Sequence, residues 1–315
     1  MTVPKVKDPS PVAAGMLPRM GGIALKNGLV LVSETHWAAA VRDAAGIISV
    51  ASGLKPKVPV GANADGTGGI PLWRGLGRFG ETLLVLAQAK MNLPGAELPL
   101  EGGRIIAALG AAMGANAAVR ALAPKSPFVQ EVGGALASFL PAVLALKNSS
   151  ISGYHGAEHK VIGGREAMAR VRGMASAAGS AAATLRESAG SAGSAAGAAA
   201  ATAAASAASK EHDRCGSNLI GPYMMATVVT NLLARGRNGE KSPAASAVAG
   251  AASLGLALEA LRWATTHGDN ILARIMLAPG RMVQKQLTTK EPTSAQLEVG
   301  ERAMNELLRL EGAAS

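Results

Sequence analysis

Cys215-Gly216-Ser217-Asn218-Leu219-Ile220-Gly221-Pro222-Tyr223-Met224-Met225-Ala226-Thr227-Val228-Val229-Thr230-Asn231-Leu232-Leu233-Ala234 carries no charge from end to end, and it is bracketed by Arg214 and Arg235. A helix that crosses the hydrocarbon core of a bilayer needs roughly 20 mostly apolar residues. This stretch therefore reads as a membrane span, and three others of similar length resemble it. Ile105 to Ala123 contains Asn116 and Arg120. Pro127 to Leu146 carries Gln130 and Glu131 near its start and Pro141 inside. Ala244 to Ala264 has Glu259 and Arg262 toward its end. Ala and Gly contribute far less transfer energy than Leu or Ile, so buried helices of a soluble all-helical domain remain the alternative. The small residues favour the membrane reading, because they let helices approach closely in lipid.

Composition agrees with that reading. Charged residues make up 17% of the 315, against about 25% in an average soluble domain, and aromatics make up 3%. The net charge of +10 suits loops held against an anionic leaflet. The basic residues are scattered and lack aromatic platforms, so no nucleic acid is expected as a partner. Membrane lipids are the expected partners, and neither a protein partner nor a homo-oligomer leaves a legible mark. A single cysteine excludes an intramolecular disulfide. Residues 1–20 hold four prolines and no apolar signal-peptide core, so they read as a flexible leader with the N-terminus in the cytoplasm.

From Gly21 the pattern changes. Asn27-Gly28 between apolar runs is a hairpin signal, and Asp43 to Gly46 can turn the chain again before Ile47 to Val50. Residues 21–60 are expected to form a small antiparallel β meander. Pro71-Leu72-Trp73-Arg74-Gly75 opens an amphipathic helical stretch that Pro94 and Pro99 end, within a helical membrane region over 71–173. Residues 174–209 are almost wholly Ala, Gly and Ser, either a linker or a marginal Ala-rich helix. With no large side chains, this insertion is expected to contribute neither core nor site. Residues 210–292 carry the later membrane helices. A C-terminal amphipathic helix within 293–315 should start at Thr293 or Ser294, present Leu297, Met304, Leu307 and Leu308 on its apolar side, and fray after Leu308. The fold class is thus mainly α, a multi-pass helical membrane protein with a small N-terminal meander.

The chemistry-bearing side chains gather in two segments. Tyr154-His155-Gly156-Ala157-Glu158-His159-Lys160 holds two of the five histidines, and His212-Asp213-Arg214-Cys215-Gly216 holds a third beside the only cysteine. Residues four apart on a helix share a face, so His155 and His159 would aim both imidazoles at one ion. His-x-x-Glu-His is the reverse of the zincin order, in which the glutamate can activate a metal-bound water. A catalytic zinc takes three protein ligands and keeps one position for water. Candidate metal ligands are therefore His155, His159, His212 and Cys215, with Glu158 as the candidate catalytic base and zinc as the expected divalent metal. Asp213 is placed to orient an imidazole. The bland alternative makes these residues interfacial polar groups and Cys215 a small buried apolar one. His36 is expected to pack within the meander, and His267 to be a loop residue.

With YHGAEHK at 154–160 and HDRCGSN at 212–218, the chain resembles the YqhQ-like family of bacterial membrane proteins, a domain of unknown function described as a predicted metal-dependent enzyme. Gly21-Gly22-Ile23-Ala24, Asn27-Gly28, Ala39-Ala40-Val41-Arg42 and Pro71-Leu72-Trp73-Arg74-Gly75 resemble its N-terminal motifs. Pro279-Gly280, Gln286 to Pro292 and Gln296-Leu297-Glu298-Val299 resemble its C-terminal signature. The resemblance implies an integral protein of the bacterial cytoplasmic membrane, with several helices and with both histidine clusters in one site. The chain departs from the pattern in its longer Ala/Gly/Ser spacer, its Ala- and Gly-rich helices, and Leu29 to Val32, where the family tends to place methionines and an arginine. Metal-assisted hydrolysis is the expected reaction, and a non-catalytic membrane scaffold with a structural metal site is the alternative.

Overall fold

The computed structural model describes residues 17–59, 69–99, 103–122, 126–146, 149–177, 194–210, 215–235 and 242–312. An antiparallel meander runs in sequence order through β1 (Gly21–Ala24), β2 (Gly28–Val32), β3 (His36–Arg42) and β4 (Ile48–Leu54). The Asn27-Gly28 signal marks the first turn, where Leu25 N–H donates to the Gly28 carbonyl. Asp43 holds the third turn by accepting from the Ile47 N–H at 2.8 Å. Side chains alternate across a strand, and both faces of this sheet are covered. Leu29, Leu31, Ala38 and Ala40 enter one core, while Val30, Trp37, Ala39 and Val41 enter the other. Double coverage explains why β2 reads as an unbroken apolar run instead of an alternating one.

Helix α1 (Trp73–Asn92) covers the second face with Val85 and Ala89. The Trp37 indole donates to Gln88 on it at 2.9 Å. The first face packs on α4 (Ser150–Ala177) and on the C-terminal helix, α9 (Ser294–Leu310), through Ala157, Val161, Met304 and Leu307. Helix α9 begins as the sequence signals: Thr293 caps it, Gln296 closes a capping box, and the expected apolar residues are buried.

Helix α5 (Ser194–Ala207) occupies the end of the Ala/Gly/Ser segment and corrects one expectation. Its Ala201 and Ala205 are buried, and Gly164 on α4 lies against the Ala204 and Ala205 backbone. Small side chains build core here by letting two helix backbones approach closely. Residues 178–193 lie outside the described set.

The remaining helices are α2 (Gly103–Leu122), α3 (Pro127–Leu146), α6 (Ile220–Leu233), α7 (Pro243–Thr266) and α8 (Ile271–Val283), the last continuing into a π turn at Gln284–Thr288. Cys215 caps a short 3-10 turn (Gly216–Leu219) at the start of the uncharged run, and the turn leads directly into the 14 residues of α6. Among the described residues one helix, α7, is long and apolar enough to cross a membrane. The chain is mainly helical with a small N-terminal sheet.

The end of the chain corrects a second expectation. Past Leu308, Glu311 accepts from the hydroxyls of Ser33 and Thr35 and lies 2.8 Å from His36 Nδ1, tying α9 to the β2–β3 turn. Burial alone would raise the Glu311 carboxyl. The hydroxyls and the His36 ring outweigh burial and hold it below the ordinary carboxylate range. A carboxyl lowered in the folded state contributes stability above its unfolded pKa and loses that contribution as pH falls through the folded one. Replacing Glu311 by Gln should therefore lower the melting temperature near neutral pH, with the difference from wild type shrinking in acid. Parallel thermal scans from neutral to acidic pH read this, and a difference that grows in acid would refute it.

Candidate metal centre

Two of the expected ligands sit on α4, whose helical spacing stacks them on one face as the sequence requires. The imidazoles of His155 and His159 meet edge to face, with centroids 4.5 Å apart and planes at 66°. Cys215 arrives from the start of the 3-10 turn, and its Sγ lies 2.9 Å from His155 Nε2. The potential ligand atoms of His155, His159 and Cys215 all fall within 4.8 Å of one another.

Each ring is fixed from behind by backbone. His155 Nδ1 lies 3.0 Å from the Thr288 carbonyl oxygen, and His159 Nδ1 lies 2.6 Å from that of Lys210. A carbonyl oxygen only accepts, so both Nδ1 atoms carry the hydrogen and both Nε2 atoms keep a lone pair. That is the tautomer a metal-binding histidine needs, and such backbone partners commonly orient one. The π turn supplies the first carbonyl. Within it the Thr289 N–H reaches the Gln284 carbonyl five residues back, and Thr289 Oγ1 donates to the same oxygen. The wider turn leaves the Thr288 carbonyl for His155. Cys215 Sγ in turn receives the Ser217 hydroxyl at 3.2 Å and the Ser217 N–H at 3.5 Å. These contacts fix the position of the sulfur beside His155.

Glycines bring these segments together. A Cβ on Gly156 would collide with the Lys290 carbonyl oxygen, and one on Gly153 would collide with the Gln296 side chain. The segment after the π turn therefore lies directly on α4, pinned by Lys290 N–H donating to the Ser152 carbonyl at 2.9 Å. Lys160, buried one residue past His159, pairs with Glu291 and donates to the Ser206 carbonyl at 2.8 Å. On the far side, Gly280 of α8 touches Ser217 and Asn218. Burial pushes the phenol of Tyr154 up, with Arg42 opposing it.

The other candidates divide. Glu158 is buried outside the triad, and a Cβ on Gly22 of β1 would lie 2.7 Å from its Cγ and 2.8 Å from its Cδ. It packs against the sheet. His212 and Asp213 lie outside the described residues. His36 holds Glu311, as described above. His267 caps the end of α7 and stacks on Trp263 with centroids 5.2 Å apart, away from the triad. Thr288, Lys210 and Ser217 were not expected as site residues. Two of them act through main-chain carbonyls, which residue identity does not announce, and Ser217 shows only in its position two residues after Cys215.

Comparison with known proteins adds a family match. A family model described as a protein of unknown function (DUF1385) matches residues 195–310. The match takes in Lys210, Cys215 and Thr288 and stops short of His155 and His159. No curated protein and no solved structure matches the chain.

The Gly156 contact can be tested directly. Gly156→Ala should destabilise the protein by about 1–3 kcal/mol, the usual cost of forcing an extra methyl into a closed contact. Denaturant unfolding of the purified chain measures this, and wild-type stability would show that the 288–292 segment does not lie on α4.

Proposed function

We propose that this chain is a multi-pass protein of the bacterial cytoplasmic membrane that holds a divalent metal, zinc by the chemistry of its donors, at His155, His159 and Cys215. The remaining position is for His212 or for water. The observation that carries the reading is the convergence of three soft or borderline donors from two segments 60 residues apart, each imidazole already committed at Nδ1 to a carbonyl. Imidazole and thiolate together suit zinc. A tetrahedral zinc holds such donors roughly 3.5 Å apart, from bond lengths of about 2.0–2.3 Å. The 2.9 Å between His155 Nε2 and Cys215 Sγ would open slightly to meet this.

When bound with an open position, zinc polarises a carbonyl and lowers the pKa of bound water, which is the chemistry of metal-assisted hydrolysis. The chain's own residues then hold both imidazoles in register, keep hydrogen-bond donors on the sulfur and screen the centre from bulk water. Proton transfer by Glu158 is not part of this reading, because its carboxyl group packs on Gly22. A closed structural site is the second reading. It is favoured by the way the triad joins α4, on the sheet side, to the start of α6, among the apolar helices.

Membrane residence is supported by which side chains are exposed. Met113, Leu122 and Leu233 are 73%, 85% and 80% exposed on α2 and α6, and Phe128, Val248 and Ile271 are exposed on α3, α7 and α8. Apolar exposure on this scale marks a protein or membrane contact in a soluble environment, and lipid is the partner proposed for it.

Metal analysis of detergent-purified protein tests the centre. About one zinc per chain is expected in wild type, since the three donors form one site, falling to background in His155→Ala, His159→Ala and Cys215→Ala. Equally negligible metal in all four would overturn the proposal. X-ray absorption on the loaded protein separates an open site, with a water oxygen in the shell, from one closed by four protein ligands. Cell fractionation tests the membrane assignment: the intact chain should pellet with membranes and need detergent to leave them, and recovery in a detergent-free supernatant would refute it.

A further inference from the structure

An open apolar groove of about 380 Å³ lies between the helices that follow and face the Cys215 segment. Phe79 of α1, Phe139 of α3, Tyr223 of α6 and Leu254 of α7 wall it, and Gly216 and Gly250 leave it open. Phe139 and Tyr223 form one side as an edge-to-face pair with centroids 5.5 Å apart. None of the residues lining it is charged. Gly216 immediately follows Cys215, so one end of the groove abuts the sulfur's own segment. At the rim, Phe79 is exposed among helices whose outer faces are apolar.

We propose that this groove receives the hydrocarbon chain of a membrane lipid and that the substrate class of the neighbouring centre is a long-chain amphiphile, with its polar end at the His155/Cys215 side. An uncharged aromatic and aliphatic lining recognises a flexible hydrocarbon and nothing more polar. The occupant can enter sideways from the bilayer because the surrounding helices face lipid in the reading above, on which this inference rests. Because Gly216 both lines the groove and follows Cys215, a lipid seated there with a reactive bond in its headgroup is the class proposed.

The two glycines make the test clean. A Cβ at Gly250 meets no atom within 4 Å, so a larger side chain there enters the groove without striking backbone. Alanine or leucine also suits a helix interior better than glycine. The full chain is purified in detergent, stripped of co-purifying lipid and titrated with a defined palmitoyl-oleoyl phosphatidylglycerol, with bound lipid counted by native mass spectrometry and zinc measured in parallel. Wild type should retain one lipid saturably. Gly250→Leu should weaken retention about tenfold or more, the effect of excluding two methylenes, with zinc content and melting temperature unchanged. Gly250→Ala should fall between. Equal retention by all three, or non-saturable binding alone, overturns the proposal. Saturable, Gly250-sensitive binding in a chain without zinc would uphold the lipid site and sink the metal centre; zinc in a chain without such binding would do the reverse.

Discussion

Two backbone carbonyls, those of Thr288 and Lys210, each take the Nδ1 hydrogen of a histidine on α4, and much of the molecule is arranged so that they can. Thr288 reaches His155 because α8 widens into a π turn and because Gly153 and Gly156 let the following segment lie on α4. Lys210 reaches His159 because the alanines of α5 bring that helix against Gly164. Moving either segment away would leave a buried imidazole without a fixed partner and change which ring nitrogen carries the proton. The constraint therefore runs from small residues at helix crossings, through close backbone approach, to the tautomer of two side chains.

Much of this was legible in the sequence, for identifiable reasons. The meander followed from Asn27-Gly28 and the Asp43 turn, both of which are local chemistry. The start and buried face of α9 followed from Thr293, Gln296 and the spacing of Leu297, Met304, Leu307 and Leu308. The pairing of His155 with His159 followed from the period of the helix. Each of these is set by residues within a few positions of one another. What the sequence concealed is non-local. The residues past Leu308 read as frayed because the partners of Glu311, namely Ser33, Thr35 and His36, are far away in the chain. Glu158 lies between two histidines in sequence, and its packing against Gly22 depends on which side of α4 the sheet occupies.

The Ala/Gly/Ser segment and the uncharged run at 215–234 carry a related lesson. An absence of large side chains reads as an absence of core, yet α5 packs through that very absence, since Ala201 and Ala205 bury little area but permit contact between backbones. Hydropathy counts residues and does not see how they are wound: Cys215 with its Ser217 bonds starts a 3-10 turn that leads directly into the 14 residues of α6. The sulfur stands at the very start of that helical stretch.

That placement also locates the proposed chemistry. A cysteine in the middle of a membrane helix would present a thiol to lipid, where a thiolate is costly to form. Placed at the cap of a short turn, the same residue has a hydroxyl and an N–H aimed at its sulfur and an imidazole 2.9 Å away. It keeps them while remaining one peptide bond from an uncharged groove between the apolar helices. A site proposed to meet both a polar headgroup and a hydrocarbon chain draws on this adjacency, which comes from Cys215 standing at the start of the helical stretch.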